Sequence, residues 1–129
     1  MQKEYFPGTW QQSRAFSPMV ATNGGRMLWV AGHGATHDAN GKPLDGDFDG
    51  QVRQSFANLS ATLARAGGKL QDIVTMTVFI IDARYGDRFI EMRKAYFPEG
   101  FPASALITVA GFARPSMMVE IQCVAVAPE

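Results

Sequence analysis

The stretch that most constrains this chain is Ile73-Val-Thr-Met-Thr-Val-Phe-Ile-Ile81. It is β-branched and apolar on both parities, whereas a half-exposed strand alternates, so it reads as a central strand covered on both faces. The rest of the chain must provide that cover, and only two segments have the period of a helix. Val52, Phe56, Leu59, Leu63 and Ala66 recur at steps of four, three, four and three, one stripe on a helical surface. Asp49 suits the N-cap of this helix, and Gly67-Gly68 its stop in the left-handed conformation. A second helix is predicted over Asp87–Phe97, with Phe89, Met92 and Tyr96 on one side and Arg88, Glu91 and Lys94 largely elsewhere; Pro98 prevents its continuation.

The remaining elements are strands. Phe16–Ala21 and Met27–Gly32 flank Thr22-Asn-Gly-Gly-Arg26, and Asn-Gly between apolar runs predicts a hairpin because both residues tolerate positive φ. His33–Phe48, rich in Gly, Asp and Asn, reads as a loop with at most one short edge strand. Ala103–Val109 and Met117–Val126 finish the chain. The order ββαβαββ predicts an α+β domain over residues 1–129, with one mixed sheet and two helices on one of its faces. No element is left for the other face, so association with further copies is the natural way to bury it.

Twelve basic side chains balance 12 acidic ones, leaving no electrostatic surplus for a nucleic-acid backbone or an anionic membrane. The single cysteine, Cys123, cannot close a disulfide within the chain, and Met1–Trp10 has no apolar stretch of the signal-peptide kind. A cytoplasmic protein without nucleic-acid or membrane partners is expected. No Gly-rich phosphate loop, nucleophile elbow or paired-cysteine motif is present, so chemistry must rest on single residues. Glu120 interrupts the almost wholly apolar Met117–Val126. It is either an edge-strand charge facing solvent or a carboxylate at a buried interface, where desolvation favours the protonated form and suits it to proton transfer. Arg93 follows Met92 of the core stripe and stands either in solvent or at the core boundary. Arg14 and Arg114 lie in turn-like stretches. His33, His37 and Asp38 would share a face only on a helix, which Gly32 and Gly34 argue against, so no metal is expected. Cys123 alternates with Val119, Ile121 and Ala125 as a small core residue.

Phe16-Ser17-Pro18, Leu28-Trp-Val-Ala-Gly-His33, Gln51–Leu59, Ala66-Gly67, Asp72–Asp82, Tyr96-Phe97, Pro102-Ala103 and Val119-Glu120-Ile121 follow one another in the order and spacing of the RidA (YjgF-like) family. The chain resembles that family over about residues 14 to 127. The resemblance implies a chorismate-mutase-like fold assembled as a homotrimer, its sheets lining a central barrel and its ligand clefts lying between subunits. It implies cofactor-independent hydrolysis of reactive enamines and imines to a ketoacid and ammonia. Glu120 matches the glutamate that positions or activates water in the deaminases. The Pro-Ala-Arg motif, whose arginine clamps the substrate carboxylate, reads Pro102-Ala103-Ser104 here. Leu106 replaces a cysteine, Phe16 a tyrosine, and Ala31-Gly32-His33 a serine-glycine-glutamine, while Arg93 stands where many deaminases carry asparagine. Phe16, Gly32, His33, Ser104 and Leu106 are thus expected to line the cleft; either Arg93 or Arg14 replaces the missing cation, or the ligand has no carboxylate, or backbone N–H groups near Gly32 and Leu106 hold a smaller polar group. The alternative is a non-catalytic trimer that binds a small metabolite or a partner protein in the same clefts. An endoribonuclease, a label given to some relatives, fits poorly with the balanced charge.

Overall fold

A computed structural model describes all 129 residues. Its strands are β1 (Gln2–Phe6), β2 (Met19–Asn23), β3 (Arg26–His33), β4 (Ile73–Ile80), β5 (Ala103–Thr108) and β6 (Val119–Ala127). Its α-helices are α1 (Phe48–Ala64) and α2 (Gly86–Arg93). An α+β architecture with two helices against a mixed sheet is therefore correct, and the expected elements recur in the expected order.

Three expectations about the sheet are corrected. β2 and β3 do not form a hairpin: β2 pairs antiparallel with β1, an unforeseen strand, in a two-stranded ribbon. Gly24 and Gly25 turn the chain at φ 76° and 83°, as Asn23-Gly24 suggested, but the turn carries it from one sheet to the next. The single mixed sheet is accordingly a four-stranded sheet, order β3-β6-β4-β5, accompanied by that ribbon. β6 pairs antiparallel with β3 and β4, whereas β5 runs parallel to β4. β4 is covered on one face only. Met76, Val78 and Ile80 are buried against the helices, while Thr75 is exposed and Thr77 and Phe79 are partly so.

The core lies between sheet and helices. Val52, Phe56, Leu59 and Leu63 from α1 meet Phe89 and Ile90 from α2 over Met76, Val78, Ile80, Val119, Ile121, Cys123 and Ala125. Phe56 stacks on Tyr96 at 4.0 Å between ring centroids and meets Phe97 edge-on at 6.2 Å, which fixes the short 3₁₀ turn after α2 against α1. The buried Gln51 donates to the carbonyls of Leu44 and Ser116 and accepts from the Met118 amide, tying both loops to α1. The N-cap of α1 is Asp47, which accepts from the Gly50 amide, rather than Asp49; Asp49 sits in the first turn and pairs with Arg88. The loop from Gly34 to Asp47 contains no strand, only a bridge between His37 and Pro43. No helix is long and apolar enough to cross a membrane.

Candidate functional site

Glu120 belongs to β6, an interior strand of the sheet, so it is not an edge-strand charge. Its neighbours Val119 and Ile121 are buried toward the helices, so alternation turns Glu120 to the opposite face, beside its cross-strand partner Phe79. That face also carries Gln122 and Val124, with Thr75 and Thr77 opposite them on β4 and Trp29 opposite Val124 on β3. Trp29 is 75% exposed and Ile107, on the same face of β5, 43%. Glu120 is partly buried and takes part in none of the chain's ion pairs, which are Arg14–Asp87, Arg84–Asp82, Arg88–Asp49 and Lys94–Glu91. Its carboxylate lies across Gly32: a Cβ at that position would come within 2.3 Å of Glu120 Oε2. The register irregularity in β3 falls between Val30 and His33, beside this contact. An unpaired carboxylate thus stands beside Phe79 on an open sheet surface of mixed polarity, held over a glycine.

Arg93 is buried, with 1% of its surface exposed, so the core-boundary reading is the correct one. Nη1 donates to Ser104 Oγ at 2.7 Å and Nη2 to the Arg14 carbonyl at 3.0 Å, while Nε has no partner. The guanidinium carbon lies 5.2 Å from the centroid of the Phe89 ring, within cation–π range. Burial, with a smaller effect of the Arg14 charge, lowers the Arg93 pKa to about 10. The group remains a cation at neutral pH. The Arg14 carbonyl is aimed at it by Ala15, whose φ of 59° is the one positive value at a non-glycine residue; the buried methyl holds a left-handed turn that a side chain normally avoids. Directly after this turn Ser17 bridges to Ala103, and its hydroxyl donates to the Phe101 carbonyl, which brings the Arg14–Ser17 segment alongside the start of β5.

The expected cleft residues do not converge within one chain. Ser104 and Leu106 pair with Met76 and Val78, so they lie on the helix face of the sheet, opposite to Glu120. Gly32 and Leu106 lie on β3 and β5, the two outer strands. His33 is turned to α1, its Nε2 2.8 Å from Thr62 Oγ1 and its Nδ1 2.7 Å from the Ala31 carbonyl. His37 instead meets Thr36 Oγ1, so the two imidazoles are separated. Phe16 packs edge-on against the exposed Trp10 at 5.7 Å, and the Arg14 side chain pairs with Asp87. Burial pushes the Cys123 thiol up to about 12, consistent with an unreactive core residue. Sequence reading missed Phe79 as the cross-strand partner of Glu120, because cross-strand register is not encoded in either strand alone.

A family model described as Endoribonuclease L-PSP matches residues 10–127. The chain is 30% identical over 105 residues to a RutC family protein of Pyrococcus horikoshii, a match covering 81% of this chain and 82% of that protein. It is 28% identical over 101 residues to the human 2-iminobutanoate/2-iminopropanoate deaminase, covering 78% of this chain and 73% of the relative. The fold is similar to the crystal structure of YyfB, a Rid-family protein of unknown function from Yersinia pestis. That pair has a TM-score of 0.85 and 25% identity over 98% of this chain and 99% of the other.

Proposed function

From the premise that the chain belongs to the Endoribonuclease L-PSP family, which includes imine and enamine deaminases, we propose that it hydrolyses a reactive enamine or imine without a cofactor. The observation that carries this reading is Glu120, an unpaired carboxylate beside Phe79 on an open sheet face. The reaction asks for little beyond such a group. Water adds to the carbon of a protonated C=N, losing a proton to the carboxylate; the carboxylate returns it to nitrogen and then takes the remaining hydroxyl proton as the C–N bond breaks, so that a carbonyl compound and ammonia leave and the proton passes to ammonia as ammonium. One positioned carboxylate is worth about 10²- to 10⁴-fold in rate, enough for an already labile substrate.

The working cleft in this proposal lies between two copies of the chain. Glu120 and the Arg93–Ser104 pair are on opposite sheet faces, so one ligand reaches both only if each comes from a different copy. The exposed Trp29 and Ile107 give the Glu120 face an apolar surface for such contact, and a homotrimer is the assembly that the family resemblance implies. RNA cleavage is not favoured: 12 acidic side chains balance the 12 basic ones, which leaves no net positive charge for a phosphate backbone.

The test follows the decay of a freshly generated 2-aminoacrylate-type imine, and of an imine without a carboxylate, with wild type and Glu120→Gln. Wild type should accelerate at least one decay, and the variant, with unchanged light scattering, should not. Accelerated decay that survives Glu120→Gln would remove Glu120 from the mechanism. If neither decay changes, the hydrolase reading fails, and binding of a metabolite or partner without turnover takes its place.

A further inference from the structure

Hydrolysis at Glu120 leaves the most expensive polar group of the fold unexplained. Arg93 is a charged guanidinium at 1% exposure whose hydrogen-bond partners are one hydroxyl and one carbonyl, whose Nε has none, which meets the Phe89 ring but no carboxylate, and whose charged neighbour is another cation, Arg14. A buried charge without a counter-charge is costly, and a strut between α2 and β5 would be made more cheaply by a neutral side chain. No carboxylate of the chain compensates it, which leaves that place to an anion from outside.

The route to it runs through Ser104. Its Oγ accepts from Arg93 Nη1, so its own proton is left to donate. The acceptor available within the chain, the Ala105 carbonyl, is 3.5 Å away, at the limit of a hydrogen bond. Ser104 is partly exposed on the outer strand β5, whereas Arg93 behind it is closed off. A hydroxyl that accepts from a cation is a strengthened donor, since hydrogen bonds in series polarise one another. We infer that Arg93 is a positioning residue that acts through Ser104, holding the serine hydroxyl as a charge-backed donor to a single anionic oxygen of a ligand. This differs from a guanidinium fork, which takes two oxygens at once. The inference rests on the inter-copy cleft proposed above and specifies how its anionic end is read.

Propanoate is a suitable probe, titrated calorimetrically at fixed ionic strength against a chloride control. Wild type and Ser104→Thr, which keeps the hydroxyl, should bind it alike, and Ser104→Ala about tenfold more weakly, the size of one charge-assisted hydrogen bond. Arg93→Gln should lose at least as much; should that variant not fold, the Ser104→Thr and Ser104→Ala pair decides the matter. A merely structural role for the pair would leave propanoate affinity unmoved in Ser104→Ala, and that result, or wild-type uptake no greater than for chloride, overturns the inference. Glu120→Gln separates the two proposals. Turnover that depends on Glu120 without any propanoate binding sinks only the subsite, whereas Ser104-dependent binding in a protein without turnover sinks only the hydrolase.

Discussion

Gly32 has a role that only a side-chain-free residue can fill: its α-carbon leaves the space in which Glu120 Oε2 lies, 2.3 Å from where a Cβ would be. The atoms in conflict belong to a flexible side chain rather than to backbone, so Gly32→Ala is relieved by rotating Glu120 away. Stability should then change by no more than about 0.5 kcal/mol, as for surface substitutions in general. If the carboxylate must sit where it does, turnover should fall by about 10²-fold, the size of a small misplacement of a catalytic group. Denaturant midpoints and rates measured on the same sample separate the two effects. Glu120 was legible because an acid interrupting an apolar strand is conspicuous in the sequence alone. The burial of Arg93 was not, since its partners Ser104 and Arg14 stand 11 and 79 residues away, and one of them is a main-chain carbonyl.

At the scale of elements, long periodic segments were legible and their pairing was not. The stripe Val52, Phe56, Leu59 and Leu63 is buried as its spacing required, and Gly67 ends the turn at φ 76°. Asn23-Gly24 correctly marked a reversal of direction. Which strands that reversal joins depends on the competition of β1 for β2, and β1, Gln2-Lys-Glu-Tyr-Phe6, has no apolar run to announce it. The α1 cap was misplaced by one turn-forming acid, and this is directly testable. Asp47 satisfies the Gly50 amide, so Asp47→Ala should cost about 1 kcal/mol and lower the melting temperature by a few degrees. Asp49→Ala removes only a solvent-exposed pair with Arg88 and should leave melting close to wild type. The reverse order of effects in thermal denaturation would mean that Asp49, not Asp47, starts the helix.

At the scale of the molecule, the absence of any element to cover the second sheet face was the most informative inference from the sequence, and the structure leaves that face open, with Trp29 at 75% exposure. What could not be read was that Glu120 and Ser104 fall on opposite faces, because the face of a residue on β5 follows from its register with β4, which local sequence does not state. This topology makes the two-copy cleft open to a sharp test. Glu120→Gln chains, which lack turnover, and Ser104→Ala chains, which keep about a tenth of the wild-type rate on a carboxylate substrate well below saturation, are denatured together in equal amounts and refolded. In a closed ring a cleft is intact when one copy contributes Glu120 and its neighbour Ser104, which random mixing produces in about a quarter of clefts. Activity should return to about that fraction of wild type. Were both residues drawn from one chain, no mixed assembly could contain an intact site, and the refolded mixture would show no more than the mean activity of its two components.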